Sequence, residues 1–160
     1  TDEKCEVIFG SNWIGDYIFA FDNIDDRRMV ERQLQLMRQH TDIIPKFYVF
    51  CGFNHDNPDT YPEGFWEVDI RDVFERIRIL MRYNVLPYIM RYKDYERSLY
   101  RGIYITLARW CNQPGFLKKK SFREFCSMRA DSARYMEEFE RRNPGIADQY
   151  FDMKWSDFNE

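Results

Sequence analysis

Polar side chains with the chemistry to bind a charged or hydrogen-bonding ligand stand at the ends of three short apolar runs. A carboxylate and an amide follow the first run. An amide, an imidazole and a carboxylate follow the second, and a guanidinium ends the third. Such groups bind hydroxyls, phosphates and carboxylates, and imidazole and carboxylate also ligate metals. In order, they are Asp22 and Asn23, then Asn54, His55 and Asp56, then Arg91.

The runs that carry these residues have the composition of buried parallel strands. Residues 17–22, 47–53 and 86–92 are rich in aromatic and β-branched side chains, and one segment with helical spacing separates each run from the next. Strands that are buried on both faces have this composition in parallel βαβ sheets. Because ligands bind at the carboxyl ends of such strands, we expect the polar ends to share one rim.

The spacing of the runs predicts the fold class. The strand starts at residues 17, 47 and 86 lie 30 and 39 residues apart, close to the roughly 30 residues per unit of a (β/α)₈ barrel. A further short strand is expected at residues 7–9. We therefore predict an α/β protein with a partial (β/α) barrel of parallel strands, followed by a helical C-terminal segment. In a single domain 1–160, residues 1–97 form βα units and residues 98–160 form the helical cap.

Composition excludes several classes of protein. The net charge of -3 argues against an obligate nucleic-acid binder. No apolar run approaches the ~20 residues that span a bilayer, and residues 1–5 lack the layout of a signal peptide, so we expect a cytoplasmic protein without membrane contact. The four cysteines are too widely spaced for a short metal-ligand pair, which predicts buried, reduced thiols and no metal site.

Several of these segments resemble the second half of the radical S-adenosylmethionine (radical SAM) barrel, in its uncharacterised bacterial and phage forms. The resemblance covers roughly residues 15–155, but the family's Cys-x3-Cys-x2-Cys cluster loop is absent. It implies an iron–sulfur enzyme in which S-adenosylmethionine and a [4Fe-4S] cluster serve the complete protein, while this chain alone binds neither and is inactive. A missing N-terminal half or a second copy would cover a strand edge near Ile8 or Phe19. The segments are residues 19–24, 47–54, 76–80, 86–92, 101–105, 108–114 and 118–125.

The resemblance also implies roles for rim residues. Asp22, with Asn23 beside it, matches the position that contacts the ribose. Gly52 is the one match to a glycine-containing motif near the adenine. An apolar contact with the adenine falls to Ile89 or Met90. The substrate, a small molecule or a peptide, would meet Asn54, His55 and Arg91, and Arg91 suits a carboxylate or a phosphate.

Each of these residues also has a structural interpretation. Asp22 and Asn23 suit a helix cap, and residues 54–56 suit a solvated loop held by local side-chain bonds. Arg91 either pairs with an acidic neighbour such as Asp22 or faces the pocket. Cys51, four residues before His55, is either a buried thiol or a nucleophile beside an imidazole, as in a thiol hydrolase.

The main alternative to the enzyme is a binding module for single-stranded nucleic acid or for a protein partner. Its basis is a basic run at residues 118–120 with Arg123, to which further arginines and interleaved tyrosines add. An ordinary solvated surface is the competing interpretation of that run. The additional residues are Arg97, Arg101, Arg109, Tyr92, Tyr95, Tyr100 and Tyr104.

Overall fold

The computed structural model describes residues 1–159. Its elements are, in chain order, α1 (Asp2–Gly10), β1 (Ile18–Ala20), α2 (Arg27–His40), β2 (Lys46–Cys51), α3 (Phe65–Arg82), β3 (Leu86–Arg91), α4 (Arg101–Cys111), α5 (Pro114–Leu117), α6 (Phe122–Cys126), α7 (Ala130–Arg142) and α8 (Pro144–Tyr150). Short 3-10 helices lie at Ile24–Asp26, Lys93–Arg97 and Trp155–Asp157.

The three strands form one parallel sheet in the order β1-β2-β3. The predicted α/β class with parallel strands is thereby confirmed. Each strand connects to its neighbour through one crossover helix, and crossovers of this kind are right-handed almost without exception. Because the strand order follows the chain order, α2 and α3 pack against the same face of the sheet.

The covered face of the sheet carries the core. In β2, Phe47, Val49 and Cys51 are buried, whereas Tyr48 and Phe50 on the opposite face are only half-buried. This alternation follows from the two-residue period of a strand. Val30, Leu34 and Met37 give α2 its buried stripe, and α3 buries eight residues in the same core.

The opposite face of the sheet has no helix layer within the described residues. The register pairs Ala20 with Tyr48, Tyr48 with Tyr88 and Phe50 with Met90, so these side chains share one side of the sheet. Ala20 is exposed, and Met90 keeps 43% of its surface exposed. The sheet is therefore buried on one face and open on the other, and we call this side the open face.

The two edges of the sheet differ. At β3, the Asn112 side chain accepts a hydrogen bond from the Ile89 N–H at 2.7 Å and donates one to the Ile89 carbonyl at 3.1 Å. The amide thus occupies the place of a neighbouring strand. At β1, Tyr17 O and Phe21 N form hydrogen bonds with β2. The backbone groups of the β1 residues that alternate with these therefore point away from β2, toward the free edge of the sheet.

The prediction of a strand at residues 7–9 was wrong, because these residues belong to α1. The Thr1 hydroxyl caps this helix by accepting from Lys4 N, and Asp2 and Glu3 supply acidic charge in its first turn. A run of three β-branched and aromatic residues is too short to override these helix-starting signals.

The C-terminal segment packs onto α3 through tyrosine hydroxyls. Tyr100, Tyr104 and Tyr150 donate to the carboxylates of Glu67, Asp69 and Glu75, at distances of 3.1, 2.6 and 2.7 Å. A capping box formed by Ser121 and Glu124 begins α6. Among residues 1–159, no helix has the length and apolarity that crossing a membrane requires.

Candidate functional site

The carboxyl ends of β1 and β2 meet at a shallow cleft of about 250 Å³. Helix α3 begins on the other side of this cleft, and the loop at residues 52–64 closes one end. Asn23, Asn54 and His55 line it together, so the structure brings these three predicted site residues to one place. The lining also includes Ile24, Asp25, Phe53, Asp56, Pro62, Phe65, Val68, Asp69 and Asp72.

Of the two residues expected to cap a helix, Asn23 does so, whereas Asp22 joins two strands. Asp22 Oδ1 accepts the Phe50 N–H at 3.1 Å, which joins the end of β1 to β2. Asn23 Oδ1 accepts the Asp25 N–H at 3.0 Å and begins the short 3-10 helix. The second oxygen of Asp22 makes no hydrogen bond within residues 1–159, so this half-buried carboxylate keeps an acceptor for a ligand.

Gly52 lies at a sharp turn that directs the chain out of β2. Its φ of +75° is a left-handed conformation that favours glycine. Its N–H donates to Asp69 Oδ2 at 2.8 Å, and that oxygen also accepts the Tyr104 hydroxyl. Burial raises the pKa of Asp69 and outweighs these two hydrogen bonds, which act in the opposite direction. Asp69 therefore fixes the turn from beneath the cleft.

Arg76 ties the same strand ends together from the covered face. This buried guanidinium donates from Nη1 to Phe21 O at 2.8 Å and to Phe50 O at 3.0 Å, and from Nε to Asp72 O at 3.2 Å. A buried charge requires such partners. Arg76 thus satisfies carbonyls at the ends of two strands and holds the rim in place.

The loop at residues 52–64 is ordered by its own side chains. Asn54 is buried, accepts the Asp56 N–H at 3.0 Å and donates to Thr60 O at 2.8 Å. Tyr61 stacks on Trp66 at 4.5 Å between ring centroids and donates to Asp94 Oδ2 at 3.0 Å. Asn54 is thus occupied within the loop, while the exposed His55 leaves its imidazole available at the mouth of the cleft.

Arg91 adopts neither of the two arrangements that the sequence predicts for it. It makes no ion pair with Asp22, and it does not line the cleft. Its guanidinium lies over the Tyr95 ring at 4.6 Å, and its side chain is exposed at the end of β3. Arg91 pairs in register with Cys51, a residue of the covered face, so it lies at the end of that face and apart from the Asn23–His55 cleft.

Ile89 and Met90 point to opposite sides of β3. The Ile89 side chain is 3% exposed and packs in the core, and its backbone groups bond to Asn112. This placement leaves little of Ile89 for a ligand. Met90, the alternative for the same contact, lies on the open face.

Cys51 is a buried thiol on the covered face, 1% exposed. Burial raises its pKa, with the nearby Asp69 acting in the same direction. The alternation along β2 places it opposite to the residues of the open face, so the structure gives no support to a Cys51 nucleophile. Cys111 and Cys126 are also buried and free, and Cys5 is partly exposed.

The described residues contain no group of three His, Cys, Asp or Glu side chains that could hold a metal ion. They therefore offer no ligand set for an iron–sulfur cluster.

Two of the four tyrosines that the nucleic-acid alternative used are not available as a binding surface. Tyr100 and Tyr104 are buried, with their hydroxyls on α3 carboxylates. Lys118 lies over the Trp155 ring, and Arg123 is paired with Glu140 and Asp152. Basic and aromatic residues in this half are thus largely used in packing.

Sequence reasoning missed Asp69, Arg76 and Tyr61. Asp69 and Arg76 lie in a segment with helical spacing, and nothing in that spacing shows contact with strand ends 17 and 26 residues away. One signal was available: an arginine among the apolar positions of α3 requires buried partners.

Comparison with protein-family models, with curated proteins and with solved structures finds no match to this chain.

Proposed function

We propose that this chain is a wedge of a (β/α) barrel from a radical SAM-type enzyme, and that it supplies part of the nucleotide- and substrate-binding rim. One observation carries the proposal. Three parallel strands stand in chain order with both crossover helices on one face, and the other face is open. The inner face of a barrel strand carries no helix, whereas a complete doubly wound sheet has helices on both faces and only a single βαβαβ half of it is covered on one face.

The rim supports the same proposal. Barrel enzymes place their sites at the carboxyl ends of the strands, and the cleft beside Asn23 and His55 lies there. The free oxygen of Asp22 and the imidazole of His55 are suited to hydroxyl groups such as those of a ribose. Met90 supplies an apolar surface on the open face.

The iron–sulfur cluster does not fit the residues of this chain, so its ligands would come from outside them. In the complete enzyme the cluster would supply the electron that cleaves S-adenosylmethionine reductively. The residues described here would bind and orient the nucleotide and keep water from it. Asp69 and Arg76 would act as positioning residues, because they hold the strand ends without facing the open side.

The proposal is tested on the longer polypeptide encoded by the reading frame that contains this chain. We expect its upstream part to contain the cysteine triplet. The protein purified without oxygen should show the visible absorbance of an iron–sulfur cluster and release methionine from S-adenosylmethionine when a reductant is added. This chain alone should do neither. An upstream part without a cysteine triplet would remove the proposal.

A variant of one rim residue tests whether that residue itself contributes to binding. Asp22→Asn should raise the KM for S-adenosylmethionine by about tenfold, roughly one hydrogen bond to a charged acceptor, with little change in kcat because the contact exists before and during reaction. Asp148→Asn, an exposed change on α8, serves as the control. Equal KM values for both variants would reject a role for Asp22 in binding.

A further inference from the structure

The open face carries two neighbouring groups of aromatic rings. Tyr48 and Tyr88 stand side by side in neighbouring strands, 5.6 Å between centroids. Toward the rim, Phe50, Phe53 and Tyr92 contact one another at 5.0 to 5.8 Å. All five rings are half-buried, so part of each remains accessible. We call these five residues the aromatic surface.

Exposed apolar side chains extend the aromatic surface. Met90 and Ile18 stand on the same side of the sheet and are 43% and 47% exposed. A soluble protein rarely leaves a contiguous patch of this kind without a partner. The occupant must therefore present planar or apolar groups.

Cations border the aromatic surface. Lys93 lies over the Tyr92 ring at 5.8 Å, and Lys46 lies over the Tyr88 ring at 5.6 Å. Lys93 is exposed and makes no ion pair within residues 1–159. Lys46 has Asp16 as its partner at 3.3 Å, in a pair that is open to water. The acidic Asp22 and Asp94 also lie nearby, but their carboxylates accept hydrogen bonds from Phe50 N and Tyr61.

We infer that the aromatic surface binds single-stranded nucleic acid, and that a nucleotide of such a strand is the substrate class of the proposed enzyme. Aromatic rings on a sheet face stack with bases, and flanking cations pair with the phosphates. The planar rings, the unpaired Lys93 and the water-exposed Lys46 match these two needs on one face. The claim that a nucleotide is the substrate rests on the proposed function. The claim that the aromatic surface binds single-stranded nucleic acid rests on this surface alone.

The overall charge of -3 does not oppose this assignment. Nucleic-acid affinity depends on the cations near the strand, and here they border the rings. A second copy of this chain is the competing occupant, because two open faces of this kind would bury one another.

The experiment measures binding of this chain to fluorescent oligo-dT and oligo-rU by anisotropy, across a range of salt concentrations. Binding should weaken with salt at a slope of about -1.4 in log–log form, since each phosphate neutralised on a single strand, here by Lys46 and Lys93, contributes about 0.7. The variant Lys93→Gln should reduce the magnitude of this slope by about 0.7.

Loss of a ring should weaken binding separately from loss of charge. Tyr88→Leu keeps an apolar side chain and should lower affinity at least about fivefold, with an unchanged salt slope. Tyr135→Leu on α7 is the matched ring control, and Lys119→Gln is the matched charge control. Thermal unfolding of every variant shows whether the fold is kept, and Tyr48→Leu replaces Tyr88→Leu if that variant does not fold.

Two results would overturn the inference. One is the absence of binding at low salt, or binding that the control variants weaken as much as Tyr88→Leu does. The other is self-association of the chain, seen by light scattering and abolished by Tyr88→Leu, which would assign the face to a second copy. Neither result bears on methionine release by the longer protein, so failure here is distinguishable from failure of the proposed enzyme.

Discussion

At the scale of single residues, the rim depends on a glycine and a carboxylate that hold one turn. Gly52 takes a left-handed conformation, and its N–H is bound by Asp69. A Cβ added to Gly52 would lie 3.2 Å from Tyr95 Cβ, which is close enough to force a shift. The turn is therefore restricted both by its backbone angle and by its neighbour.

Gly52→Ala should destabilise the protein more than Gly64→Ala does. Both glycines have positive φ, but an added Cβ at Gly64 meets nothing within 4 Å. We expect Gly64→Ala to cost about 1–2 kcal/mol from backbone conformation alone, and Gly52→Ala to cost about 1 kcal/mol more from crowding. Urea unfolding of both variants measures the difference. Equal costs would show that Tyr95 yields without penalty.

Cysteine reactivity should separate Cys5 from the three buried thiols. Burial raises the pKa of Cys51, Cys111 and Cys126 and removes them from solvent. Iodoacetamide at neutral pH should therefore modify one cysteine quickly in the folded chain, and mass spectrometry should locate it at Cys5. Cys5→Ser should abolish the fast phase. Rapid modification of Cys51 would instead support the interpretation of Cys51 as the nucleophile of a thiol hydrolase.

At the scale of elements, the sheet is closed at one edge by a side chain. Asn112, at the end of α4, reproduces both hydrogen bonds of a neighbouring strand at Ile89. The three strands were predictable, because each is an apolar run with flanking polar residues. The closure was not, because Asn112 lies 23 residues from Ile89 and an asparagine after a helix has the same sequence signal as an ordinary C-terminal cap.

Asn112→Ala should cost about 1–3 kcal/mol, because it leaves the Ile89 N–H without a partner. Gln113→Ala, at the adjacent exposed position, is the control and should cost less than about 0.5 kcal/mol. Amide hydrogen exchange at Ile89 should accelerate in the first variant only. Unchanged exchange would mean that α4 protects this edge without the Asn112 amide.

The contact between α6 and α7 should depend on pH. Arg123 donates to both Glu140 oxygens at 2.7 and 2.8 Å and thereby lowers the pKa of Glu140. A carboxyl whose pKa is lower in the folded state stabilises the fold above its unfolded value of about 4.5, and this contribution is lost as the pH falls through the folded value.

Arg123→Gln should therefore destabilise the protein at neutral pH by about 1 kcal/mol, a small value because the pair is partly solvated. The difference from the unmodified chain should shrink as the pH falls below 4.5. Arg141→Gln, an exposed change on α7, provides the control. A difference that stays constant with pH would show that Arg123 acts by packing on Phe151, over which it lies.

At the scale of the whole molecule, the asymmetry of the sheet is the main fact. Residues 1–159 cover one face and one edge of the sheet and leave the other face and the β1 edge uncovered. The parallel order and the shared rim of Asn23, Asn54 and His55 were predictable from the alternation of runs. The separation of Arg91 from that rim was not, because a side chain at a strand end is directed by its neighbours, here the Tyr95 ring.

The most direct test of a barrel wedge is amide hydrogen exchange at Ile18 and Ala20. Their backbone N–H groups point away from β2, by the alternation that sends Phe21 N to Tyr48 O. In this chain alone we predict fast exchange at both. In the longer protein encoded by the same reading frame, a preceding parallel strand should pair with β1 and slow exchange at both positions. Equally fast exchange in the two proteins would contradict the barrel and the enzyme proposed from it.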